Sequence, residues 1–161
     1  MRRRATASLI ALGGVVAAVM LSPFGAFAGH TNTVLNADLD GRSEVGTSNA
    51  IAGDPNGRGE VYVFGIDGDA TTLCYVLLVD KIDTATMAHI HEGAAGTNGP
   101  VVANLAAPFD ADAADCLTEG EAGKFPTGEK VADILANPDD YYVNVHNATY
   151  PGGAIRGQLE H

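Results

Sequence analysis

Two histidines one residue apart, His89 and His91, open the stretch "HIHEGAAGTNGP", and a third, His146, sits in "YYVNVHN". Neutral imidazole is a ligand for copper and zinc. Residues i and i+2 of a strand are ~6.5–7 Å apart at Cα, a gap that a metal with ~2 Å Zn–N bonds can bridge. A third imidazole from a neighbouring strand would complete a mononuclear site. The same residues also fit a plainer arrangement, in which histidines on a strand face are solvated or hydrogen-bonded to the loop over Gly93–Gly99.

Strand alternation decides which way these side chains face. His89 and His91 share one face, opposite Ala88 and Ile90. In the later segment Val143 and Val145 oppose Tyr142, Asn144 and His146. Burial of the apolar sets is the main driving force, so the three histidines are expected on the outer face of a barrel, beneath covering loops. If the two strands are neighbours, the imidazoles converge.

The elements around them read as strand after strand. "TVLNADL", "GEVYVFGID", "TTLCYVLLVD", "TATMAHIHE", "GPVVANL", "YYVNVHN" and "GAIRGQLE" are rich in β-branched and aromatic residues and are punctuated by Gly, Asn, Asp and Pro. Asp67-Gly68-Asp69-Ala70 reads as a hairpin connection. Seven or eight such strands indicate an all-β sandwich or barrel. One short helix is expected in "GEKVADILANP", with Val131, Ile134 and Leu135 on one face and Pro138 ending it, ahead of the last two strands. Residues 106–127 read as a loop pinned by Cys116.

Residues 1–28 read as a secretory signal: Arg2, Arg3 and Arg4, an apolar run from Leu9 to Leu21, then Ala26-Phe27-Ala28 before a cut at Gly29. The remainder, 29–161, forms one domain with no second apolar span. Losing the three arginines takes the formal charge from −11 to −14. So acidic a chain is unsuited to nucleic acid and to anionic membrane surfaces. Cys74 and Cys116 are the only cysteines, and export makes a disulfide between them the default. The expected location is extracellular, with a protein or cell-surface component as partner.

Other constellations are weaker. Asp54, Asn56 and Glu60, and Asp67 with Asp69, carry oxygen ligands at turn spacing, but turn chemistry accounts for them without calcium. Ser43 and Ser48 lack a nucleophile-elbow setting. No glycine loop opens a helix to hold phosphate, so no positive case for a hydrolase emerges.

"MAHIHEGAAGTNGPVVANL" and "NPDDYYVNVHNATYPGGAIRGQL" resemble the two signature blocks of the CHRD domain, a module of exported proteins, and the resemblance spans essentially the whole mature chain. It implies a Greek-key β-sandwich of immunoglobulin-like or superoxide-dismutase-like topology and no established biochemical activity. A more distant resemblance is to copper-zinc superoxide dismutases, with their His-x-His-Glu strand, glycine-rich loop, Val-x-His strand and glycine turn leading to an arginine. That resemblance puts His89, His91 and His146 at copper-ligand-like positions and Arg156 where an anion-guiding arginine stands. Asn144 and Glu92 become candidate supports of the ligands. The chain lacks a later loop histidine to bridge two metals and lacks a His/Asp zinc set. The reading is therefore an extracellular binding or structural module with a three-histidine Cu or Zn site. The alternative is a degenerate copper-dependent redox enzyme. Arg156 also fits a structural role, bonding loop carbonyls or pairing with Glu92.

Overall fold

The computed structural model describes residues 33–46 and 51–161; the proposed signal segment, 1–28, lies outside the described residues. Eight strands form one antiparallel sheet: β1 (Val34–Asp40), β2 (Arg58–Ile66), β3 (Asp69–Asp80), β4 (Ala85–Glu92), β5 (Val101–Leu105), β6 (Asp112–Thr118), β7 (Tyr141–Asn147) and β8 (Ile155–Gln158). Their spatial order is β5-β4-β7-β8-β1-β2-β3-β6. The chain thus makes a β1-β2-β3 meander, crosses to the far end for β4-β5, and crosses back for β6. It then returns through α1 (Val131–Ala136) and a 3₁₀ turn (Pro138–Asp140) to the β7-β8 hairpin. This is the all-β architecture that the strand spacing indicates, with the short helix ahead of the last two strands.

The sheet curls until both of its ends share one core. Leu35, Val63, Leu73, Leu77 and Leu117 from one end join Ala88, Ile90, Val102, Val143 and Val145 from the other. Nearly all are fully buried, at ~1.5–3 kcal/mol of transfer free energy for each large side chain. Helix α1 adds Val131, Ile134 and Leu135 to the same cluster.

One element departs from the sequence reading. Within the expected loop 106–127, residues Asp112–Thr118 pair with β3, bringing Leu73 opposite Leu117 and Cys74 opposite Cys116. "DADAADCLT" lacks an apolar alternation because β6 is an edge strand that buries only Leu117 fully. The cysteines are linked, with Cα atoms 4.0 Å apart, as suits a directly opposed antiparallel pair. At the free edge of β6, the Cys116 amide donates to Asp115 Oδ1 at 2.8 Å, and Lys124 Nζ holds Asp115 Oδ2 at 3.0 Å.

The oxygen-rich turns are closed by their own backbone. Asp54 Oδ1 accepts from the Asn56 amide, and Asp69 Oδ1 accepts from both the amide and hydroxyl of Thr71. Such bonds are what Asp contributes to turns.

Candidate metal centre

Strands β4 and β7 are neighbours, with His89 opposite Asn144, His91 opposite Tyr142 and Met87 opposite His146. Ala88, Ile90, Val143 and Val145 fill the core, which turns the histidines to the outer face as alternation requires. That face is not open. Every residue of β7 is buried, and His146 is only 7% exposed. His89 and His91 are half-buried.

The cover is the 93–99 loop, and four side chains of the sheet hold it down. Arg156 Nη2 donates to Thr97 O at 2.7 Å and Ala94 O at 3.5 Å, while Nη1 donates to Asn98 Oδ1 at 3.1 Å. Gln158 Nε2 donates to Gly93 O, and the Gly99 amide donates to Tyr142 Oη. His91 Nδ1 reaches Gly99 O at 2.9 Å. Gly99 has to be glycine here, because a Cβ would collide with the Glu92 carbonyl. Arg156 is 2% exposed, and its guanidinium lies 3.3 Å over the Tyr142 ring. His91 also stacks on that ring, with centroids 4.7 Å apart. A buried guanidinium persists where its donors are met and a π face is at hand.

Beneath this cover the three imidazoles gather. Their ligating nitrogens all lie within 4.8 Å of one another, and His89 Nδ1 is 3.1 Å from His146 Nε2. Desolvation lowers the pKa of each: His89 falls to about 4, with His146 and His91 adding repulsion, and His91 and His146 are shifted in the same direction. The cluster is therefore neutral near pH 7, the state that binds metals. Two of the rings have a carbonyl acceptor on the far side. His91 Nδ1 faces Gly99 O, and His146 Nδ1 faces Pro151 O at 3.1 Å. Carbonyl oxygens only accept, so each draws the ring proton to Nδ1 and leaves Nε2 with its lone pair toward the cluster. His91 Nε2 is buried and closes no hydrogen bond of ordinary geometry, although the Asn144 side chain stands near enough to raise the ring's pKa against burial; a buried nitrogen so poorly met is ordinarily avoided in a folded protein. A cation among the three nitrogens removes that deficit, so the donor set fits Cu²⁺ or Zn²⁺.

Of the remaining residues singled out by sequence, Asn144 stands at the cluster, with Oδ1 3.1 Å from His146 Nε2. Arg156 lies in the next cross-strand position, opposite Asn144, and its donors go to the loop. Glu92 is exposed at the end of β4, where its carboxylate acts on Tyr141. One buried group carries no sequence signal. Glu44, in the hydrophilic run "GRSEVG", is 9% exposed, and burial raises its pKa to about 7 against the opposing pull of Arg156 and Asn144.

An eight-stranded antiparallel near-barrel with a histidine cluster on the covered outer face of β4 and β7 defines an all-β module that carries its site on a rigid sheet. The family model of the CHRD domain matches residues 35–159. The chain belongs to that family, an extracellular-type module. No curated protein and no solved structure matches the chain. Among the described residues no helix is long and apolar enough to cross a membrane.

Proposed function

We propose that this chain is an exported CHRD module that binds one Cu²⁺ or Zn²⁺ ion through His89, His91 and His146, and that its role outside the cell is binding or structural. The observation that carries this reading is His91 Nε2, buried, unpartnered and facing two other imidazoles. A histidine that served only to pin the loop would need its Nδ1 bond to Gly99 and nothing more. The ring's remaining lone pair, on Nε2 and held away from water, points to a ligand. Cu²⁺ is favoured over Zn²⁺ by its higher intrinsic affinity for nitrogen donors.

When bound, the ion would supply a Lewis-acidic centre with room for a further ligand. The chain's own contribution is orientation and exclusion of water. Gly99 and Pro151 fix ring tautomers, Tyr142 fixes the His91 plane, and Arg156 keeps the loop closed.

The test is metal analysis of the purified protein after incubation with Cu²⁺ or Zn²⁺, beside the triple variant His89→Ala/His91→Ala/His146→Ala. Stoichiometric metal in the wild type, absent from the variant, is the expected result. Equal metal content in the two would sink the assignment.

A further inference from the structure

Asn144 and Glu44 pose a problem of proton counting that the three histidines do not solve. His146 Nε2 has two neighbours at 3.1 Å, His89 Nδ1 and Asn144 Oδ1, while His146 Nδ1 has the Pro151 carbonyl at 3.1 Å. A neutral ring carries one proton. If that proton is on Nδ1, it goes to Pro151 and Asn144 Oδ1 faces a lone pair. If it is on Nε2, Asn144 is met and Pro151 O faces the lone pair instead. A doubly protonated ring would satisfy both, but only by holding an unpaired charge on a side chain that is 7% exposed.

An isolated asparagine would escape by rotating its amide to present NH₂ to the histidine. Here Glu44 stands behind the amide. The Asn144 side chain lowers the pKa of that buried carboxyl, the effect of an amide N–H turned toward it. Glu44 is itself held in place. Its carboxylate packs where a Cβ on Gly153 would collide with it, and its Cγ where a Cβ on Gly53 would. Gly153 has φ +138°, a conformation glycine tolerates. Glu44 Oε1 is buried and has no hydrogen-bond partner, so the carboxyl offers acceptor capacity to the amide and gains nothing from releasing it.

We infer that Asn144 Oδ1 is a fourth donor to the metal held by His89, His91 and His146, and that Glu44 is the positioning residue that turns this oxygen toward the ion. The inference rests on the three-histidine reading above. Two ligand atoms ~2.0–2.1 Å from one metal stand about 2.9–3.4 Å apart for bond angles near 90–110°. The 3.1 Å separations from His146 Nε2 to both His89 Nδ1 and Asn144 Oδ1 fall in that window. A cation relieves the facing lone pairs at one stroke.

The experiment is Cu²⁺ affinity by chelator competition, with the Cu²⁺ EPR spectrum, on the full chain and six variants, with thermal melts to confirm folding. Asn144→Leu is expected to weaken Cu²⁺ binding ~10–100-fold, the usual effect of losing a support of the ligand shell, and to change the spectrum. Asn144→Asp, which offers oxygen in either rotamer, keeps the affinity. Glu44→Leu weakens binding while Glu44→Gln, still an acceptor for the amide, restores it. In the double variant Glu44→Leu/Asn144→Asp the effect of Glu44→Leu disappears, a suppression that a merely structural glutamate would not show. Wild-type affinity and spectrum in Asn144→Leu, with binding lost in His146→Ala, overturns the fourth donor and leaves the three-histidine site standing. Weakening by Asn144→Leu but not by Glu44→Leu overturns the positioning role. A wild-type chain that takes up no Cu²⁺ overturns both readings. Should Asn144→Leu fail to fold, the double variant decides between them.

Discussion

The outer face of one sheet has two unlike halves. Over β7 and β8 it is buried and polar, with His146, Asn144 and Arg156 shut beneath the 93–99 loop. Over β2 and β3 it is open and apolar: Tyr62, Val76 and Leu78 are 43%, 37% and 43% exposed. The inner faces of both halves are the same aliphatic core. A strand's outward residues therefore do not settle whether it faces water. A short glycine-rich loop, held by Arg156, Gln158, Tyr142 and His91, converts an ordinary sheet surface into a covered, low-dielectric site, where imidazoles lose their charge and a ligand gains strength. Among the described residues the opposite half has no such cover, and its Cys74–Cys116 link stands in its place as the feature that fixes the edge.

Breaking the cover should have the largest effect. Arg156→Leu removes a buried charge with three loop acceptors and leaves the nearby Glu44 uncompensated, for about 3–5 kcal/mol of stability. Chemical denaturation should register that loss, and amide exchange at Gly99 should accelerate. If the loop's exchange rates were unchanged, the cover would be held by something else. At the other half, Cys74→Ala/Cys116→Ala opens a closure spanning 42 residues of sequence, on the order of 3–4 kcal/mol by chain entropy. Cu²⁺ affinity of the still-folded variant should stay at the wild-type value, since β8, β1 and β2 separate the histidine strands from the β3–β6 edge.

A smaller, pH-dependent effect separates the halves further in metal-free protein. The folded pKa of His89 is depressed from 6.5 to about 4, so the unfolded chain binds the extra proton between those values. Stability from this group is complete above pH ~6.5 and is lost as pH falls toward 4. Glu44 has the opposite sign. Its folded pKa is raised from 4.5 to about 7, so its contribution is complete below 4.5 and is lost as pH rises through 7. The two slopes oppose each other between about pH 4.5 and 6.5. Glu44→Gln should therefore make stability rise more steeply with pH across that window than in the wild type, as read from urea midpoints. A shallower rise would contradict the assigned burial of Glu44. Smallest of all, Leu78→Thr on the open half should shift stability by no more than about 0.5 kcal/mol.

What sequence made legible follows the same division. Alternation in "MAHIHE" and "YYVNVHN" set both the core and the direction of the histidines, because period-2 burial is a local property. The neighbourhood of β4 and β7 was a condition of the site, and the fold meets it. Strand β6 was missed because an acidic edge strand carries almost no apolar pattern; Cys116 was its one marker. Glu44 was invisible for a different reason. Its burial comes from packing against Gly53 and the sequence-distant Gly153, and nothing in "GRSEVG" distinguishes it from a solvated loop residue. The covering of the outer face likewise depends on Arg156 reaching residues 58 to 62 positions earlier.

The self-capped edge of β6 bears on how such a chain survives at high local concentration. An open sheet edge invites strand addition from a second molecule. By tying its own Cys116 amide to the Asp115 carboxylate, which Lys124 holds in turn, the last strand withholds a donor from any incoming backbone. The sheet ends there on a strand that offers a second copy one donor fewer for strand addition.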